Sequence, residues 1–371
     1  MRTSRSVLAA LVIVPLLALA AACTSQADAG DPPIRIASIA SETGSGAAYG
    51  VEAQRGTRLA VELLGNGRVD LRTFDDQSTN DGAMAAARSA VAWKAEVVLA
   101  PTLSPVALSI APYLAQNRTP TLGVSNATID VDAAGEFFWR ISKSERDMVT
   151  ASVDAAAKRG QKAVLIWEPA DGYSAGSRDA FLAAAAAKGV EITSELSYVD
   201  GSTTAASLAS KAEASSPDML FMALRSAVAA DFLSATASSK ALRIGGNGFN
   251  AVPVISKAGS AANGLVVSGS WNIDEPVPMS KAFIDAYVAA YGSEPDSFAA
   301  QGYAAVQVAL AAIRVGGGTS SAQVQSGLGS LGRRTNAIPT VVGQFGFTAD
   351  REPTYPAVVQ QVRSGTLVPF R

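Results

Sequence analysis

Three groupings of residues in this 371-residue chain could do chemistry. In the first, Gly44-Ser45-Gly46-Ala47-Ala48-Tyr49-Gly50 places glycines where a strand hands over to a helix. Asp75-Asp76 closes the following strand, where an acid would hold a ribose. That pattern would cradle a dinucleotide, but its spacing is GxGxxxG, one residue longer than the usual fingerprint. The glycines read instead as a turn that lets backbone approach a ligand. In the second grouping, Ser104-Pro105 opens a helix as N-cap and first helical residue. The helix start would then offer free N–H groups and the positive end of its dipole to an anion; the competing reading is a plain cap. The third is Cys23, the one cysteine, placed for covalent modification. The chain has no histidine, which removes Ser-His-Asp and Cys-His nucleophiles, His-ligated metals and His acid–base catalysis together. With no nucleophile elbow and no metal-ligand cluster either, no enzyme, cofactor or metal is expected.

Around Cys23 the pattern is that of an export leader. Arg2 and Arg5 precede an apolar run from Val7 that ends in Leu19-Ala20-Ala21-Ala22-Cys23, small residues of the kind a signal peptidase requires. The run is too short for a comfortable membrane span. It resembles the lipobox of bacterial lipoproteins, with Ala20 where leucine is usual. The resemblance implies that residues 1–22 are a signal peptide and that Cys23 is acylated, tethering an exported protein to the outer face of the cell membrane. An ordinary secretory peptide beside an incidental cysteine is the alternative. Export also counts against a nicotinamide cofactor, which is cytoplasmic. Residues 23–33, rich in Ser, Ala, Gly, Asp and Pro, read as a flexible tether. A cysteine spent on lipid leaves none for disulfides, so stability must come from core burial. The 48% hydrophobic content suffices for two domains. The net charge of −2 without a basic block excludes nucleic acid and anionic lipid surfaces as partners. Past Cys23 no apolar run is expected to reach membrane-spanning length.

The elements that must position these groups alternate regularly. Strands are expected at 34–40, 69–73, 97–100 and 121–124, with a helix marked by the face Leu59, Ala60, Leu63 and Leu64, an Ala-rich helix at about 82–93 and another after Pro105, and 137–141 reads as a segment crossing to a second series. That series has strands at 163–167, 190–196, 218–224, 242–245 and 265–270. Its helices fall near 145–158, 174–188, 205–213 and 227–238. A Pro-interrupted stretch at 271–278 reads as a crossing back, followed by helices at 279–291 and 298–314 and a last strand at 357–362. Strand-then-helix alternation implies parallel sheets covered on both faces, here built twice. The expected fold is α/β, with two doubly wound parallel-sheet lobes joined by several crossings and a ligand cleft at the carboxyl ends of their strands. One lobe would comprise 34–141 with 273–345, the other 142–272 with 346–371.

The opening strand, then Thr43-Gly44, Tyr49-Gly50, Gly56, Leu59-Ala60 and Phe74-Asp75-Asp76, resembles the branched-chain amino-acid binding proteins of ABC importers, which have the type I periplasmic-binding fold. Further anchors are the Ser104 loop, Gly172-Tyr173, and Ser297-Phe298 with Tyr303. The resemblance implies that Ser104 binds a ligand carboxylate, helped by the loop 123–128. Ser125 or Asn126 would give backbone contacts there, and Thr128 a hydroxyl if one residue is inserted. It implies aromatic walls at Tyr49, Tyr173 and Phe298. Two positions depart from the family. Asn247 stands where an acid pairs the ligand's ammonium, so branched-chain amino acids are expected to bind weakly unless another acid, Glu168 or Asp171, takes that role. Arg225 stands where an aromatic is common, and either faces solvent or reaches a second anionic group on the ligand.

The function these readings imply is an extracytoplasmic, lipid-anchored substrate-binding protein that captures a small amino acid, amide or carboxylate by lobe closure and passes it to a membrane permease. A monomer is expected. The alternatives are an exported sensing domain for a partner receptor and an exported α/β enzyme.

Overall fold

A computed structural model describes residues 32–128 and 130–370; the leader and Cys23 lie outside the described residues. Apolar runs flanked by turn residues form the strands, and Ala-rich segments form the helices between them. The first series runs β1 (Ile34–Ala40), α1 (Ala47–Leu64), β2 (Val69–Asp75), α2 (Asn80–Ala92), β3 (Val97–Leu99), α3 (Ser104–Gln116), β4 (Thr121–Gly123) and β5 (Phe138–Arg140). Its sheet has the order β2-β1-β3-β4-β5 and is parallel throughout. The crossing expected at 137–141 is thus in part the edge strand of this sheet.

The second series runs α4 (Glu145–Ala156), β6 (Lys162–Trp167), α5 (Gly172–Lys188), β7 (Glu191–Ser197), α6 (Ala205–Glu213), β8 (Met219–Ala223), α7 (Ser226–Ala235), β9 (Leu242–Gly245), α8 (Val252–Ala258) and β10 (Val266–Gly269). The chain then supplies α9 (Ser280–Tyr291), α10 (Ser297–Gly316), α11 (Ser321–Leu328), a hairpin of β11 (Ile338–Thr340) and β12 (Gly343–Phe345), and finally β13 (Val358–Arg363) and β14 (Thr366–Pro369). The second sheet has the order β14-β13-β10-β9-β8-β6-β7. Its last two strands run antiparallel, so this lobe carries a reversed edge that regular strand–helix alternation does not foretell. Central β8 is buried at every position, while edge β7 alternates between half-buried and exposed residues, the difference expected between a strand covered on both faces and one at a margin.

In each sheet the strand order reverses beside the first strand of the series, between β1 and β3 and between β6 and β8. The loops leaving the carboxyl ends diverge there and open a crevice. The segments that pass between lobes lie together: the Tyr355 hydroxyl donates to Ile141 O at 2.8 Å, and Lys143 N donates to Ser270 Oγ at 3.0 Å.

Helix α10 corrects one reading of the sequence. At 20 residues it is long and apolar enough to cross a membrane, yet 83% of it is buried inside the fold, where it is a core helix. It packs on α1 with almost no space between backbones. A Cβ at Gly56 would lie 1.9 Å from Ala299 O, and one at Gly302 would lie 2.0 Å from Ala53 O. Glycine is required at both for the approach itself. That contact sets the Tyr49 and Phe298 rings 4.9 Å apart at the mouth of the crevice.

Candidate functional site

The loops leaving β1, β3, β4, β6, β8 and β9, with the start of α10, converge on one cavity of about 30 Å³, lined by Thr102, Ser104, Ser125, Tyr173, Arg225 and Asn247 among others. Tyr49, Phe298, Leu103 and Gly248 complete it. The volume is little more than one water needs, because the lobes meet here. The Tyr49 hydroxyl accepts from Ser226 N at 2.6 Å and donates to Gly248 O at 3.0 Å. Burial pushes its pKa up to about 12, so at neutral pH it remains a protonated donor.

Ser104 is the first residue of α3, and the cap position falls to Leu103, whose backbone is extended and which makes no side-chain cap. The sequence placed Ser104 at the cap itself. The one-residue shift leaves its hydroxyl free of capping; it accepts from Thr128 N at a long 3.4 Å. The first-turn N–H groups have no acceptor within the helix. Ser125 is buried beside it, and its hydroxyl has no partner, an arrangement that costs about 1–3 kcal/mol unless something polar arrives. Asn126 turns its amide onto Pro101 O at 2.7 Å, away from the cavity. Thr128 faces a second, neighbouring cavity and touches the space above Gly176.

On the other lobe, Tyr173 lies in the first turn of α5. Its hydroxyl donates to Glu145 Oε1 at 3.0 Å and accepts from Gly248 N at 2.7 Å. Arg225 does not face solvent: it is 8% exposed and makes a two-pronged pair with Asp171, Nε to Oδ2 at 2.8 Å and Nη2 to Oδ1 at 2.9 Å. Its guanidinium stacks 5.2 Å from the Tyr173 ring. Asp171 also caps α5 by accepting from Ser174 N. It is therefore engaged twice, and Glu168 does not line the cavity.

The acid nearest Asn247 is one the sequence reading passed over. Glu145 Oε1 accepts from Asn247 N at 3.1 Å, Ser177 Oγ at 2.7 Å and the Tyr173 hydroxyl. Burial raises its pKa, only partly opposed by those donors. In the sequence it stands next to Ser144, the cap of α4, and reads as an ordinary first-turn acid. Thr102, Leu103 and Gly248 were missed as well, being small or apolar loop residues with no chemical signature.

The glycine run is not a ligand turn. A Cβ at Gly46 would lie 2.8 Å from Ser41 Cβ, and one at Gly50 would lie 2.0 Å from Ser41 O, so these glycines seat α1 against the end of β1. Asp75 accepts from Glu42 N, Thr43 N, Thr43 Oγ1 and Gln77 N and pins the same loop; its neighbour Asp76 accepts from Ser41 Oγ.

Behind Phe298, Asp296 caps α10 through Phe298 N and Ala299 N at 2.9 and 3.0 Å. Burial, then the charge of Glu52, pushes its carboxyl from 3.8 up to about 7. The folded state therefore binds more protons than the unfolded one, and stability from this group is full below about pH 4 and lost as pH rises to about 7. Asp296→Asn keeps the capping oxygen without the charge. In urea unfolding it should gain on wild type by up to a few kcal/mol between pH 4.5 and 8. A difference that stays constant with pH would mean that this carboxyl is ionised throughout.

Comparison with known proteins agrees with this architecture. The family described as periplasmic binding protein matches residues 33–366. A Leu/Ile/Val-binding protein, BraC3, of Rhizobium johnstonii is 25% identical over 331 residues, covering 85% of this chain and 88% of its own. Among solved structures, the branched-chain amino-acid transporter substrate-binding protein LivJ from Streptococcus pneumoniae, in complex with isoleucine, superposes with a TM-score of 0.82 at 22% identity over 90% of this chain and 97% of that one. A solute-binding protein of an ABC transporter from Rhodopseudomonas palustris, in complex with 3,4-dihydroxybenzoic acid, gives 0.81 at 19% over 91% and 96%. The resemblance read from the sequence is borne out, and with it a substrate-binding role, not a catalytic one, outside the cytoplasm. The chain belongs to the periplasmic binding protein family.

Proposed function

We propose that this protein is the lipid-anchored substrate-binding component of an ABC importer, and that it closes its lobes on a small solute bearing a carboxylate. The observation that carries the reading is the pairing of a helix start at Ser104 with the buried, unpartnered hydroxyl of Ser125, facing the aromatic side chains of Tyr49, Tyr173 and Phe298. The first two present donors to an anion; the rings supply an apolar wall. Relatives were solved with isoleucine and with a dihydroxybenzoate. Both ligands combine a carboxylate with an apolar body, the chemistry these residues suit. Ligand energy would be used to shift an equilibrium between open and closed lobes, with no bond made or broken.

A thermal-shift screen over neutral amino acids, amides, benzoates and aliphatic carboxylates tests it. A ligand at about 100 times its Kd adds about 2.7 kcal/mol to stability, enough to raise Tm visibly. Stabilisation by amides alone, with no carboxylate active, would contradict the anion-binding end.

The anchor is tested separately. Cys23→Ser should move the protein out of the membrane fraction, leave its unfolding transition unchanged, and remove an acylated N-terminal peptide seen in wild type by mass spectrometry. Unchanged fractionation with no lipid on Cys23 in wild type would overturn the proposed tether.

A further inference from the structure

The second cavity between the lobes is far larger than the first, about 510 Å³. Loop residues Ala127 and Thr128 and strand residue Arg140 line it from one lobe, and Glu145, Gly176 and Asp179 from the other. Acids dominate its wall, with Asp130, Asp147 and Glu352 joining Glu145 and Asp179 against Arg140 and Arg146. Arg140 is paired with Glu352 at 2.5 Å, and Asp147 is paired with Lys143 at 2.7 Å. Glu145 differs from the other acids. It is 2% exposed, three donors converge on Oε1, and Oε2 has no partner. A carboxylate held so firmly by one oxygen presents the other as an acceptor of fixed position, and a buried acceptor left unpaired is costly.

The backbone at Glu145 is tied to the anion end through a single peptide group. Thr128 N donates to Ser104 Oγ at 3.4 Å on one side of the Ala127–Thr128 peptide, and Ala127 O accepts from Glu145 N at 2.8 Å on the other. The Ser104 hydroxyl and the backbone nitrogen of Glu145 therefore stand at most on the order of 8 Å apart across one peptide plane, and the Glu145 side chain continues from there into the wall of the second cavity. Tyr173 lines the first cavity and bonds Glu145 in the wall of the second, where Thr128 packs against Gly176, a residue that places least in the way.

Resting on the carboxylate reading above, we infer that the cavity around Glu145 is a second subsite of the cleft, which takes an ammonium or guanidinium group separated from the carboxylate by several bonds. The solute would then be an ω-amino or guanidino acid. An α-amino acid would instead place its ammonium in the first cavity, on the side of Glu145 whose Oε1 is already taken by Asn247 N, Ser177 Oγ and the Tyr173 hydroxyl.

Calorimetry with matched probes tests this: 6-aminohexanoate against hexanoate, and 4-guanidinobutanoate against butanoate, on wild type and Glu145→Gln. In at least one pair the cationic member should bind wild type about tenfold to 100-fold tighter than its partner, as a charge-assisted bond to a buried carboxylate provides. Glu145→Gln should erase that preference while the uncharged partner binds within about threefold of wild type. Equal binding within both pairs overturns the subsite and leaves the carboxylate reading intact; so does a preference that survives Glu145→Gln. No binding of any probe at about 10 mM overturns the subsite as well, and the carboxylate reading is then decided by the thermal-shift screen alone. The wild-type comparison needs no variant and decides the matter even if Glu145→Gln folds poorly.

Discussion

Ser104→Asp is expected to abolish capture of carboxylate ligands without loosening the fold. Ser104 begins α3, where a negative side chain is favoured by the helix dipole by about 0.3–1 kcal/mol. The same charge would meet the ligand's carboxylate. Two like charges about 4 Å apart repel by about 4 kcal/mol at the effective dielectric of a protein surface, roughly a thousandfold in Kd. Ser104→Ala removes only one neutral donor and should cost about 1 kcal/mol, less than tenfold in Kd. Titration of the best carboxylate from the screen against the three proteins, with Tm as the control for folding, reads the difference. Binding by Ser104→Asp within tenfold of wild type would move the anion end elsewhere in the cleft.

Tyr49→Phe should have the next largest effect, through closure. The Tyr49 ring belongs to α1 in one lobe, but its hydroxyl bonds Ser226 N and Gly248 O in the other. At about 1 kcal/mol net for each hydrogen bond, the closed form loses about 2 kcal/mol, roughly a thirtyfold shift of the lobe equilibrium. Since the closed form is the one proposed to hold ligand, affinity should fall by a similar factor. The ring remains against Phe298, so the unfolding transition should change little. Small-angle scattering should report a larger radius of gyration for the unliganded variant than for wild type. Unchanged scattering and affinity would mean that the Tyr49 bridge does not govern closure.

Much of this was legible in the sequence because strands buried on both faces announce themselves. Val97–Leu99 and Met219–Ala223 are apolar at every position, and the Ala-rich stretches between such runs read as helices. The doubly wound order then placed Ser104, Tyr49, Tyr173 and Asn247 near one cleft, since each follows a strand's carboxyl end. What stayed hidden depends on partners distant in the chain. Arg225 and Asp171 are 54 positions apart, and neither announces a pair. Glu145 looks like a solvated helix-start acid until α5 and the loop after β9 fold over it. The strand at Phe138–Arg140 contains a buried arginine, whose burial is permitted by Glu352 more than 200 residues later. The reversed strand β13 and its hairpin partner β14 add an antiparallel edge, a matter of turn and register that alternation cannot express.

The central claim is that a carboxylate-bearing solute is held between the lobes. A crystal structure of the protein with the tightest carboxylate from the screen tests it most directly. The account predicts one ligand per chain, its carboxylate within hydrogen-bonding distance of Ser104 and Ser125, and its body in contact with Tyr49 and Phe298 from one lobe and Tyr173 from the other. A ligand touching a single lobe, or seated with its carboxylate away from the start of α3, would contradict it.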